Sequence, residues 1–221
     1  KGAHDLCLIK FGDWNDSLDG VGADGRGVSV WLSMAFVFAA CRFAGLARWL
    51  GEESDAAWAA KLAEKMSDII NSTSWDGQHY IYAFTGDGTP VGASSCAEGK
   101  IHLNVNAWSL FNGVANKSAR VEQVLSALEE IDTPFGKLLI SPPYTAASRH
   151  VGRIADMMPG LFENGSIYTH GHSFLAYGLV NQGMGGRAWR EIRKVLPSST
   201  IPDISTGPAH QVSNFTVGSS N

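Results

Sequence analysis

Within Phe11-Gly12-Asp13-Trp14-Asn15-Asp16-Ser17, two carboxylates, an amide and an indole occupy four consecutive positions. This combination suits carbohydrate chemistry. An indole offers a flat face on which a pyranose ring stacks, and by displacing water it favours the protonated form of a nearby acid around neutral pH. Without that chemistry, Asp13 and Asp16 read as turn residues or helix caps. The loop follows a short apolar run, residues 6–11, and precedes a helical segment. It is therefore expected at the end of an element, where a cleft can form.

Composition removes several other classes. A net charge of -4, from 17 Lys and Arg against 21 Asp and Glu, provides no basic field for nucleic acid. Cys7, Cys41 and Cys96 are odd in number and widely scattered, a pattern of reduced thiols rather than of a disulfide framework or a zinc cluster. The longest apolar stretch, residues 28–50, is broken by Ser29, Ser33, Arg42, Gly45 and Arg48, so it reads as a buried helix and not a membrane span. Gly20-Val21-Gly22-Ala23-Asp24-Gly25 has the spacing of a dinucleotide fingerprint, but a polar loop rather than a strand leads into it. Asp13, Asn15, Ser17 and Asp19 alternate like calcium ligands, yet Leu18 stands where that loop requires Gly and no Glu closes it at Asp24. No metal site is expected.

The elements that must position the motif are mostly helical. Residues 28–51 are apolar on most sides, and 52–71 carry one apolar stripe opposite Glu64, Lys65 and Asp68. Tyr80, Tyr82 and Phe84 alternate ahead of Gly86-Asp87-Gly88, which predicts a hairpin. Further helices are expected at 104–114, 118–131, 169–182 and 185–195, with one long loop over 133–163. Loops of that length in a compact domain are usually functional. Three buried helices, each followed by an amphipathic one, suggest an all-α toroid, an (α/α)6 barrel. About three helix pairs are present, so residues 1–221 are expected to form the C-terminal half of such a catalytic domain. The start at Lys1-Gly2-Ala3-His4 and the Gly/Ser-rich end at Asn221 agree with a piece of a longer chain.

Four motifs in register carry a family resemblance. They are Gly12-Asp13-Trp14-Asn15-Asp16, then Gly27 through Leu32, Trp75-Asp76-Gly77 with Tyr80, and finally Glu163-Asn164-Gly165-Ser166-Ile167-Tyr168-Thr169-His170. In order and spacing the chain resembles the inverting disaccharide phosphorylases, the enzymes related to cellobiose, cellobionic acid, cellodextrin, chitobiose and β-1,2-oligoglucan phosphorylases. The resemblance implies that Asp16 is the general acid, that Trp14 lines the subsite of the non-reducing sugar, and that Asp13 orients the loop. It implies that Glu163 holds sugar hydroxyls near the scissile bond and that His170 binds phosphate. The position of His170 suits that role, because the start of an apolar helix presents free amides and a dipole to an anion. His172, two residues on, is expected to point elsewhere.

The implied reaction is phosphorolysis of a β-linked glucosyl disaccharide or oligosaccharide, with inorganic phosphate as co-substrate and no cofactor. An inverting hydrolase needs a second carboxylate to deprotonate water, whereas phosphate arrives as a nucleophilic anion. An inverting hydrolase on the same barrel and a non-catalytic sugar-binding fragment are the alternatives. A homodimer and a cytoplasmic location are expected, the latter because a sugar phosphate is retained only inside a membrane. Three features lie outside the resemblance. Phe162 stands where the family often has Lys or Arg, a Thr-Gly pair of phosphate ligands would lie beyond Asn221, and the Arg and Asp that grip the sugar would precede Lys1.

Overall fold

A computed structural model describes residues 2–196 and 213–216. Its described part is predominantly helical, with α1 (Val30–Trp49), α2 (Glu53–Thr73), α3 (Leu103–Phe111), α4 (Val114–Lys117), α5 (Val121–Glu129), α6 (Thr169–Asn181) and α7 (Gly185–Val195). Helix α1 packs on α2 and α3, and α6 packs on α3 and α7. The inner helices α1, α3 and α6 thus lie side by side, each with a later helix behind it. Every residue from Leu103 to Leu110 is buried, which is why α3 carries no charged side chain. Its two amides are used differently. Asn106 accepts from the Tyr80 amide at 3.0 Å and donates to the His102 carbonyl at 3.0 Å, whereas Asn104 Oδ1 is buried without a partner among the described residues.

Helix α1 has the length and the mean hydropathy, 1.7 over its apolar window, of a membrane-crossing segment. Here its buried residues, among them Val30, Met34, Val37, Ala40, Ala44 and Ala47, recur every three or four positions, and the helix lies between α2 and α3. Helix α2 answers with Ala56, Ala59, Ala63, Met66 and Ile70. Small residues on both helices allow the close approach. Burying such apolar surface supplies about 25 cal/mol per Å², the main force holding the pair.

Short strands correct the helix boundaries expected from sequence. Val28–Ser29 is a strand, β2, and not the first turn of α1; it pairs antiparallel between β1 (Cys7–Leu8) and β3 (Ala83–Phe84), with β4 (Pro90–Val91) completing the sheet. Ser29 ends the strand in an extended conformation and caps the helix, its Oγ accepting from the Leu32 amide at 2.8 Å. The same junction recurs twice, where β5 (Ile101–His102) runs into α3 and β9 (Ile167–Tyr168) into α6. The hairpin expected around Gly86-Asp87-Gly88 is present as β3 and β4.

The stretch 133–163 is not one loop. It holds part of the hairpin β6 (Asp132–Thr133) with β7 (Gly136–Lys137), strand β8 (Ile140–Ser141) paired with β5, and two short 3-10 segments. Strand β9 pairs with β10 (Asn214–Phe215). Helix α3 ends before the expected 114 because Gly113 turns left-handed, with φ 79°. The three cysteines are free thiols.

His172 points away from the neighbouring His170 and is fully buried. Its Nδ1 donates to the Tyr168 carbonyl at 2.9 Å, and its Nε2 accepts the Lys137 amide at 2.8 Å. That pairing admits only the neutral ring. Burial lowers the His172 pKa to about 4. Because the folded value lies below the unfolded one, the neutral ring stabilises the fold above pH 6.5, and that contribution is lost as pH falls towards about 4. The loss should reach about 3 kcal/mol. Urea unfolding across this range should show a shallower acid decline in His172→Asn than in the wild type.

Candidate functional site

The Gly12–Ser17 segment curls so tightly that a Cβ on Gly12 would lie 2.9 Å from the Asp16 Cα, at φ 144°. Only glycine fits there. The curl separates the two carboxylates. Asp13 turns inward: Oδ1 accepts from the Tyr82 hydroxyl at 2.6 Å and the Asn15 amide at 2.9 Å, and Oδ2 accepts from Ser29 Oγ at 2.5 Å. Burial raises the Asp13 pKa above the usual carboxylate value even though these donors oppose it. The loop is thereby tied to the capping residue of α1. Asn15 and Ser17 are buried too, and they bond to each other at 2.5 Å.

Asp16 faces outward with its side chain 72% exposed, and its Oδ2 lies 2.9 Å from Arg153 Nη2. Nothing in the sequence pattern pointed to Arg153. It is held by Asp19, which accepts from the Arg153 amide at 2.9 Å and pairs with its Nη1 at 3.3 Å. Two backbone bonds stitch the same segments together, Gly20 amide to Val151 carbonyl and Ile154 amide to Ser17 carbonyl. A Cβ on Gly152 would meet Asp19 Oδ1 at 2.4 Å, so a glycine before the arginine was the one available signal of this close approach.

Trp14 crosses to α6. Its indole N–H donates to His170 Nδ1 at 2.9 Å, joining motifs 156 positions apart. The same indole meets Tyr168 edge-on at 5.1 Å between centroids, and His170 lies 4.4 Å from Phe174. Partial burial lowers the His170 pKa, which favours the neutral imidazole. Thr169 gives its amide to the Ser213 carbonyl. The first-turn amides of His170 and Gly171 have no i−4 acceptor within the helix.

Glu163 reaches the same cluster through Tyr168, whose hydroxyl donates to Glu163 Oε1 at 3.2 Å. Burial raises the Tyr168 pKa, and the negative charges of Glu163 and Asp16 raise it further. Asn164 fixes the backbone beside Glu163. It accepts from the Tyr144 amide at 2.7 Å and donates to the carbonyls of Tyr144 and Met157 at 2.8 and 2.9 Å. Phe162, at φ 46°, is exposed next to it.

Trp14 and Glu163 therefore both contact Tyr168, and His170 contacts Trp14, while Asp16 faces outward two positions after Trp14 and Asp13 turns inward. A separate cavity, lined by Cys96, Glu98, Tyr144, Ser148 and His150 among others, sits apart from this cluster. These residues offer an exposed carboxyl, an imidazole donor, helix-start amides and aromatic rings. Chemically, that set can protonate one oxygen and bind an oxyanion.

Residues 1–210 match the family described as Glycosyl hydrolase 94 superfamily, catalytic domain. Similar proteins include the 3-O-beta-D-glucopyranosyl-beta-D-glucuronide phosphorylase of Paenibacillus borealis, 39% identical over 97% of this chain and 27% of that protein. The solabiose phosphorylase of the same organism is 38% identical over 90% of this chain and 26% of its own length. The cellobionic acid phosphorylase of Neurospora crassa is 33% identical over 90% of this chain and 25% of its own. The chain thus spans about a quarter of the length of the curated relatives it matches.

Proposed function

The chain belongs to the glycosyl hydrolase 94 superfamily, and from that membership we propose that it supplies the general acid and a phosphate ligand of an inverting glycoside phosphorylase. The substrate is a β-linked glucosyl disaccharide or oligosaccharide. Residues 1–221 form the second half of an (α/α)6 barrel whose remaining wall comes from elsewhere in a longer protein. Asp16 protonates the glycosidic oxygen as the anomeric C–O bond breaks, the bonding pair leaving with the departing sugar. An oxygen of inorganic phosphate bonds to the anomeric carbon from the opposite face, and the product is an α-sugar 1-phosphate. One displacement inverts the configuration.

Each neighbour has a task. Trp14 stacks on the non-reducing sugar, Glu163 accepts from its hydroxyls, His170 donates to phosphate, and Asp13 holds the loop from below. Arg153 has to part from Asp16 before the proton moves, because a protonated carboxyl no longer forms the ion pair. The observation that carries this reading is the Trp14–His170 hydrogen bond, which sets the acid loop against the start of α6. The phosphorylase activities of the relatives named above agree with it. Retention of the sugar phosphate puts the reaction in the cytoplasm, in a homodimeric enzyme.

The test is cleavage of a panel of β-linked disaccharides by the full-length protein, with and without phosphate. Sugar 1-phosphate should form from at least one substrate, and only when phosphate is present. Free sugars released equally without phosphate would make the protein a hydrolase. No cleavage of any substrate would leave a sugar-binding module.

A further inference from the structure

The bond between Trp14 and His170 fixes more than position. An indole nitrogen only donates, so His170 Nδ1 must be the acceptor in this 2.9 Å contact. An imidazole that accepts at Nδ1 is neutral and carries its single proton on Nε2. Imidazolium has a proton on both nitrogens and cannot accept, so protonation would break the bond. Among the described residues Nε2 has no hydrogen-bond partner, and His170 is exposed.

From this geometry we infer that Trp14 is a positioning residue that acts through His170: its N–H locks the imidazole in the Nε2–H tautomer, presenting a neutral donor to a phosphate oxygen. This rests on the reading of His170 as a phosphate ligand. A free neutral histidine divides its proton between the two nitrogens, and only one of those forms leaves Nε2 able to donate outward. The lock removes the unproductive form before phosphate arrives. Phe174, 4.4 Å from the His170 ring, and Tyr168, 5.1 Å from the Trp14 ring, restrict the rotation that would exchange the two nitrogens. The burial that lowers the His170 pKa acts in the same direction, since it too favours the neutral ring.

Trp14 then has two separable functions. Its ring face serves the sugar, and its N–H serves the phosphate. Replacing only the N–H should harm phosphate binding more than sugar binding, a split that loss of loop structure would not produce.

The experiment uses the full-length protein with Trp14→Phe, and with benzothienylalanine at position 14, which keeps the two-ring shape and lacks the N–H. Nitrogen NMR of labelled histidine, with the signal identified by its loss in His170→Gln, should show His170 protonated on Nε2 alone in the wild type. In both Trp14 variants it should show a mixture of forms. The Kd for inorganic phosphate by calorimetry, and its KM wherever turnover is seen, should rise about two- to threefold, because only a fraction of the unlocked neutral imidazole still carries its proton on Nε2. The KM for the disaccharide should rise by less than the phosphate Kd does with benzothienylalanine, which keeps the stacking face. An Nδ1–H or doubly protonated His170 in the wild type would overturn the inference, as would unchanged phosphate affinity in the benzothienylalanine protein. Absence of any phosphorolysis in the wild type would instead count against the proposed function, while the tautomer measurement would still decide the lock.

Discussion

Asp16→Asn in the full-length enzyme should lower kcat by between about a hundredfold and ten-thousandfold, the range that a positioned general acid contributes. Asparagine keeps the shape and exposure of the side chain but has no proton to give. The Arg153 ion pair is lost as well, yet an exposed pair of this kind contributes at most about 1 kcal/mol, so folding and sugar affinity should hardly change. The loss should depend on the leaving group. A β-glucosyl fluoride departs without protonation, and with phosphate present the variant should process it at close to the wild-type rate. A defect of equal size on fluoride and disaccharide would mean that Asp16 holds the substrate and does not protonate it.

Asp13→Ala should be the most damaging substitution for stability. It removes the acceptor of three hydrogen bonds, and the two hydroxyl donors, on Ser29 and Tyr82, belong to buried residues. Each buried group left unsatisfied costs about 1–3 kcal/mol, so the total should fall near 3–5 kcal/mol. Asp13→Asn retains the oxygen that accepts from Asn15 and Tyr82, and the Ser29 hydroxyl can rotate to accept from the new amide nitrogen. Its cost should be nearer 1 kcal/mol. Chemical unfolding should rank the proteins wild type, Asn, Ala.

The pair of substitutions also separates the two carboxylates. The raised pKa of Asp13 is what a general acid needs. Both of its oxygens are occupied by protein donors, however, leaving none to meet a glycosidic oxygen. Asp13→Asn should therefore retain most turnover per folded molecule, whereas Asp16→Asn should not. The reverse ranking would move the acid to Asp13.

The sequence made the long helices legible because their apolar spacing is local. Helix α7 occupies the span that its pattern indicated, and α2 and α6 deviate by one or two residues. Strands of two residues are too short to leave a periodic trace, so β2, β5 and β9 were absorbed into neighbouring helices or loops. The hairpin β6–β7 was hidden for the same reason. Chemistry-bearing residues could be singled out by type, but not their partners across the fold. No local pattern announces that Arg153 reaches Asp16, or that the Lys137 amide meets His172. Those contacts depend on how α6 and the 152–156 segment dock against the acid loop. Asp13 shows the same limit: Asn15 is a local partner, while Ser29 and Tyr82 arrive from two other strands or strand ends.

The central claim is that phosphate, and not water, becomes bonded to the anomeric carbon on the face opposite Asp16. Phosphate labelled with heavy oxygen in all its positions, reacted with the full-length enzyme and its β-linked substrate, tests this directly by mass spectrometry and proton NMR. The account requires a sugar 1-phosphate that retains every labelled oxygen, including the one bridging carbon and phosphorus, in the α configuration. Free glucose bearing solvent oxygen at its anomeric carbon, with the labelled phosphate left unconsumed, would contradict it.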